Sequence, residues 1–165
     1  MKILNQTFRF LIFSLLSLTL LFSSCSKDKD DEQSPKTALL TSSAWKMTAY
    51  TVEPGFPTFD NEGNITGSTN DIFAMLENCE KDDTHKFNAD KSLITDEGLT
   101  KCESSDPQKI NGTWSFNVDE TSLTITEEGE SMTVTIVELT QSVLKIKSTE
   151  TEEGMTFTYT ITFSH

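Results

Sequence analysis

From Met155 to Phe163 the chain reads Met-Thr-Phe-Thr-Tyr-Thr-Ile-Thr-Phe, an apolar side chain alternating with a threonine at every step. A period of two belongs to a strand, so one face of this segment is apolar and the other is hydroxylated and wet. Threonine and the β-branched and aromatic residues beside it also favour strands. The same alternation recurs in Trp114, Phe116 and Val118, in Leu123 and Ile125, in Met132, Val134 and Ile136, and in Leu144 and Ile146. Short turns separate these segments: Asp119-Glu120-Thr121, Glu127 to Glu130 around Gly129, Thr140-Gln141-Ser142, and Glu150 to Gly154. The C-terminal half is therefore a meander of hairpins with one face to the core.

Upstream, Ala44 to Val52 reads as a first strand, with Trp45, Met47 and Ala49 on one face and Lys46, Thr48 and Tyr50 on the other. Glu53 to Asn70 contains Pro54, Gly55, Pro57, Gly63 and Gly67 and reads as a long loop. Asp71 suits the N-cap of a short helix through Asn78, whose Ile72, Phe73, Met75 and Leu76 would cover an apolar opening as a lid. Thr84 to Asn88 and Ser92 to Thr95 form a hairpin around Ala89-Asp90-Lys91, with Phe87 and either Leu93 or Ile94 facing in. That makes eight strands. A Greek-key sandwich requires a long crossover, and none follows residue 110. The expected fold is all-β, an eight-stranded antiparallel up-and-down barrel with a short helix near one end, its interior filled by side chains or holding one small ligand.

The N-terminus has another character. Lys2 and Arg9 precede an apolar core from Phe10 to Phe22, which ends in the small residues Ser23 and Ser24. This is the layout of a secretory signal peptide, and the core is shorter than the roughly 20 apolar residues of a spanning helix. Leu21 to Cys25 resembles the lipobox of bacterial lipoproteins, with Phe22 where leucine is usual. The resemblance implies diacylglycerol on Cys25 and a stable membrane anchor once further acyl chains are added. Ser26 to Lys36 is polar and mostly acidic, a flexible tether reaching at most about 35 to 40 Å. The expected organisation is 1–24 signal peptide, 25–36 lipidated cysteine and tether, and 37–165 barrel domain, with one helical turn near Thr37 to Ser42. A serine and an acidic cluster behind the lipidated cysteine also resemble the export signal of surface-exposed lipoproteins in one Gram-negative lineage. Outward display on the outer membrane is expected, with its periplasmic face as the alternative.

Loss of Lys2 and Arg9 with the signal takes the formal charge from −13 to −15. Such a surface repels phosphates and has no basic patch to offset it, which sets nucleic acid aside as a partner. With Cys25 acylated, Cys79 and Cys102 remain as a pair in an oxidising compartment, and a disulfide is expected.

Trp45 opening the first strand, Cys79-Glu80-Lys81-Asp82-Asp83, Phe87-Asn88-Ala89-Asp90-Lys91, Cys102 and Gly112-Thr113-Trp114-Ser115-Phe116 together resemble the lipocalin-like domain of small bacterial lipoproteins, over roughly residues 38–163. The resemblance implies a barrel with a hydrophobic cup and no shared catalytic residues. Ser43-Ala44-Trp45 stands in place of the Gly-x-Trp of true lipocalins, and the last strand has no arginine to stack on that tryptophan. Trp45, Phe87, Trp114, Phe116 and Tyr159 are the candidate ligand residues, unless such inward aromatics only fill the core. Tyr159 stands out because a buried hydroxyl needs a partner.

Catalytic chemistry finds little to build on. His85 and His165 are the only histidines, too few for a conventional nucleophile, base and acid set. Glu77, Glu80, Asp82, Asp83 and His85 match no zinc or calcium spacing, and Asp60-Asn61-Glu62-Gly63-Asn64 lacks the glycine and final acid of a calcium loop and reads as a turn. No metal, cofactor or enzymatic activity is expected. The partners expected are the membrane, through the anchor, and a small hydrophobic ligand. The alternative is a filled barrel whose loops contact a protein or glycan.

Overall fold

The computed structural model describes residues 33–165; the expected signal peptide, Cys25 and the tether through Glu32 lie outside the described residues. Nine strands follow one another: β1 (Ala44–Phe59), β2 (Ile65–Asp71), β3 (Thr84–Phe87), β4 (Ser92–Asp96), β5 (Lys109–Phe116), β6 (Ser122–Glu127), β7 (Glu130–Leu139), β8 (Val143–Glu152) and β9 (Met155–Ser164). Every pairing is antiparallel, β3 to β9 pair in sequence, and β1 pairs with both β3 and β9. Eight strands therefore close into the expected up-and-down barrel. The Thr-rich faces lie outside, where Thr124 meets Thr133 and Thr151 meets Thr156 hydroxyl to hydroxyl at 2.9 and 3.1 Å. Glu128-Gly129 and Glu153-Gly154 all have positive φ, as the tightest two-residue hairpins require.

The segment expected to be a loop, residues 53–70, is instead a β-hairpin. β1 runs on past the barrel to Phe59, and β2 returns along it. Pro54 and Gly55 fall where the register skips from Thr51 to Phe56, a place where a strand tolerates proline. A Cβ on Gly55 would stand 2.8 Å from both the Asn70 Oδ1 and the Thr69 carbonyl, so the glycine permits a close crossing. Asp60 turns the hairpin by accepting from the Glu62 and Asn64 amides, both at 2.9 Å. This agrees with the reading of residues 60–64 as a turn.

A second correction concerns Tyr50. The register between β1 and β9 shifts between Met47 and Ala49, so Met47 faces Phe163 while Tyr50 faces Ile161. One extra residue reverses the alternation, and Tyr50 joins the inner face instead of Lys46 and Thr48.

The barrel's lower end is closed by α1 (Pro35–Thr41), which starts two residues before the expected Thr37. Ser34 caps it by accepting from the Thr37 amide at 3.1 Å, and Pro35 is preset for its first turn. Residues 34–36 thus belong with the barrel and not with the tether. Leu40 is fully buried, and its carbonyl accepts from the Trp45 indole at 2.8 Å. The Lys86 ammonium donates to the Thr41 carbonyl at 2.7 Å, and that of Lys36 to the Glu120 carbonyl at 2.6 Å.

At the other end, residues 71–78 form a 3-10 turn (Phe73–Met75) leading to α2 (Asn78–Lys81), a shorter element than the expected helix. The N-cap of that turn is Ile72 and not the expected Asp71, whose carboxylate one residue earlier accepts from the Ala74 amide at 3.0 Å. The expected disulfide between Cys79 and Cys102 is present and ties α2 to the loop between β4 and β5. Asp82 reinforces the tie by accepting from the Leu99 and Thr100 amides at 2.9 and 3.1 Å.

Candidate functional site

Above the floor the barrel is hollow. The inner chamber holds about 170 Å³ and is lined by twelve residues, ten of them apolar. Phe87 and Leu93 form its lower wall, with Leu123 and Ile125 of β6 beside them and Ile146 and Ile161 opposite. Two wider compartments border it. One, of about 290 Å³, shares Met132, Ile146 and Ile161 with the chamber and adds Tyr50, Ser148, Glu150 and Tyr159. The other, of about 460 Å³, shares Ile125, Glu127 and Met132 and adds Glu130 and Glu150. Met132 borders all three, so the compartments lie against one another around its side chain; the inner chamber alone is smaller than the roughly 300 Å³ of a usual small-molecule site, and the outer compartments supply the wider space beside it.

His85 and Glu127 are the two polar residues of the chamber wall. His85 Nδ1 lies 3.0 Å from the Thr95 hydroxyl, which donates to Glu127 Oε1 at 2.7 Å. Since that hydroxyl's proton goes to the carboxylate, the histidine must be the donor at Nδ1, leaving Nε2 as an acceptor. Burial holds the His85 pKa below its ordinary value, against the pull of Glu127, so the ring is neutral at physiological pH. Thr95 is itself buried. Gly112 makes the bridge sterically feasible: it pairs with Glu127 from β5, the strand between β4 and β6. A Cβ there would stand 2.6 Å from the Glu127 Cγ and 2.5 Å from the Thr126 carbonyl. With only hydrogen at that position, the Glu127 side chain crosses β5 and reaches Thr95.

The mouth is aromatic on one side and acidic on the other. Tyr50 and Tyr159 have ring centroids 6.1 Å apart, and Phe56 from the β1 extension lies 5.5 Å from Phe157. Burial raises the pKa of both tyrosines, and the charge of Glu150 adds to the effect. Both phenols therefore stay neutral.

Of the five aromatic residues expected to bind a ligand, Phe87 lines the chamber and Tyr159 lines the mouth. Trp45, Trp114 and Phe116 face inward but lie in the floor, outside all three compartments. Trp45 is fully buried against α1; the Trp114 indole donates to the Asn88 carbonyl at 3.0 Å, and its ring lies under the Lys91 ammonium at 3.9 Å and against Phe116 at 5.3 Å. Residues 71–78 line none of the compartments, and Met75 is exposed, so they are not the expected lid.

Among the described residues, the acidic group Glu77, Glu80, Asp82, Asp83 and His85 does not converge into a metal-ligand set, although Glu80 and Asp82 lie close enough to Asp83 to raise its pKa. Glu77 and Glu80 cap α2 reciprocally, Asp82 holds the loop after β4, and His85 points into the barrel. Among the described residues, the one cluster of potential metal ligands is Glu77 with Cys79 and Cys102, whose sulfurs are bonded to each other.

A closed antiparallel barrel of eight strands, plugged at one end by a helix and hollow toward the other, defines the class of lipocalin-like proteins. The family profile described as "Lipocalin-like domain" matches residues 43–146, from just before β1 to within β8, and the chain belongs to that family. Comparison with curated proteins finds no match.

Proposed function

We propose that this protein is a non-enzymatic, lipid-anchored envelope protein whose barrel carries a small hydrophobic ligand. The apolar chamber with a wider mouth against it is the observation that carries the reading. The one polar chain in the wall does not argue for catalysis. Threonine, not histidine, sits at its centre, and the hydroxyl's proton is already engaged by the carboxylate, so no base is placed between a nucleophile and an acid. Native mass spectrometry of protein purified from its own host tests the reading: a retained small molecule lost on denaturation supports it, and empty protein that also takes up no apolar probe overturns it.

The anchor rests on Cys25 and the signal preceding it. Radiolabelled palmitate should enter the wild-type protein and not Cys25→Ala, which should become soluble. Protease shaving of intact cells should release the barrel if it faces outward from the outer membrane, whereas protection until lysis would place it on the periplasmic face.

A second reading, an interaction module, draws on the β1–β2 hairpin. Among the described residues, β2 pairs with β1 alone and its other edge has no strand partner, and Phe59 and Ile65 at the tip are 59% and 70% exposed. A free edge of this kind can accept a strand from a partner protein.

A further inference from the structure

The apolar chamber alone would accept any greasy molecule of suitable size, so the informative feature is its polar wall. Glu127 borders both the inner chamber and the outer compartment, and one of its oxygens accepts from Thr95. Among the described residues, the only ion pair is Lys109 with Asp96, so Glu127 has no cationic partner, and no donor reaches its second oxygen. Glu127 is half-buried, and its second oxygen keeps some exposure at the chamber's edge instead of being sealed in the wall. Gly112 and Thr95 hold the side chain there.

The remaining polar atoms point to the same chemistry. With Nδ1 donating to Thr95, His85 offers a lone pair at Nε2, so the polar wall presents acceptors and lacks a free donor. Further out, Glu130 and Glu150 line the mouth, where Lys147 is the only cation. Tyr50 and Tyr159 stand close enough to Glu150 to feel its charge. Aromatic faces beside carboxylates favour an organic cation and repel an anion.

Building on the reading of the barrel as a ligand cup, we propose that the ligand is an amphipathic amine, its apolar body in the chamber and its ammonium received by Glu127, with Glu150 and the two tyrosines alongside. A fatty acid would bring its carboxylate against Glu127, Glu130 and Glu150, whereas a neutral alcohol would keep the apolar contacts and lose the ion pair.

Decylamine, decanol and decanoate, titrated calorimetrically at neutral pH into the purified protein, separate these cases. The expected order is amine tightest, by about tenfold over the alcohol, with the carboxylate weakest. Glu127→Gln should bring the amine down to the level of the alcohol, and a cooperative urea transition shows that the variant is folded. Carboxylate binding as tight as the amine, or amine and alcohol binding alike, would overturn the proposal and leave the cup intact. Failure of all three to bind would overturn the cup itself. The ordering in the unmodified protein decides the matter even if Glu127→Gln does not fold.

Discussion

Trp45→Phe tests whether the floor of the barrel is structural. The indole N–H donates to the Leu40 carbonyl at 2.8 Å, and both residues are fully buried. Phenylalanine keeps the aromatic body but deletes the donor, leaving a buried carbonyl without its partner at a cost of about 1–3 kcal/mol. The void left by the smaller ring, at about 24 cal/mol per Å³, adds up to about 1 kcal/mol. The expected loss is about 1–4 kcal/mol, a large part of the 5–15 kcal/mol typical of a domain. Urea denaturation with the disulfide intact should show the midpoint falling at an unchanged slope. Amide hydrogen exchange should quicken first in residues 35–43, because α1 loses its tie to the sheet. Since Trp45 lines no part of the cup, decanol affinity should stay within twofold. A stability loss below about 0.5 kcal/mol, or a folded variant that no longer binds decanol, would refute the reasoning.

Replacing both Cys79 and Cys102 by serine should cost about 3 kcal/mol in the same assay, from the entropy of the opened loop; an unchanged midpoint would contradict this. Gly112→Ala should destabilise by about 1–3 kcal/mol, because the new Cβ meets the Thr126 carbonyl at 2.5 Å, and a neutral effect would show that Glu127 does not need that gap. Burial, then the charges of Glu97, Asp82, Glu80 and Asp96, push the Asp83 pKa up to about 6. A carboxyl that binds its proton more tightly when folded makes stability fall as pH rises through that range. Asp83→Asn should therefore stabilise the protein at pH 8, by about 1 kcal/mol after allowing for solvent screening, and give no gain at pH 4. Equal effects at both pH values would sink that account.

The strands were legible in the sequence wherever one face is buried and the other wet. Leu123 and Ile125, or Phe157 through Phe163, leave little choice of register. The β1–β2 hairpin was hidden because Pro54, Gly55 and Pro57 mark a loop by composition, whereas a two-stranded extension outside the barrel accommodates them. Tyr50 was placed on the wrong face by a bulge that no local pattern announces. Alternation says which way a side chain points but not how high it sits along the barrel axis, so Trp45 and Trp114 pass for cup residues until the turns below them are located. The polar wall did leave a trace: His85 is in phase with Phe87, Glu127 with Leu123 and Ile125, and Gly112 with Trp114. A carboxylate on an inward face opposite a glycine is an informative exception to an otherwise apolar pattern.

The central claim, that the barrel interior is a ligand cup, is tested most directly by titrating an environment-sensitive apolar fluorophore into the wild-type protein and into Ile125→Trp. Ile125 borders both the chamber and the mouth, and an indole there would occupy much of the chamber's 170 Å³. Saturable one-to-one binding by the wild type, displaced by decanol and abolished in an Ile125→Trp protein that still unfolds cooperatively, is the predicted result. No saturable binding by the wild type, or binding untouched by the indole, would contradict it.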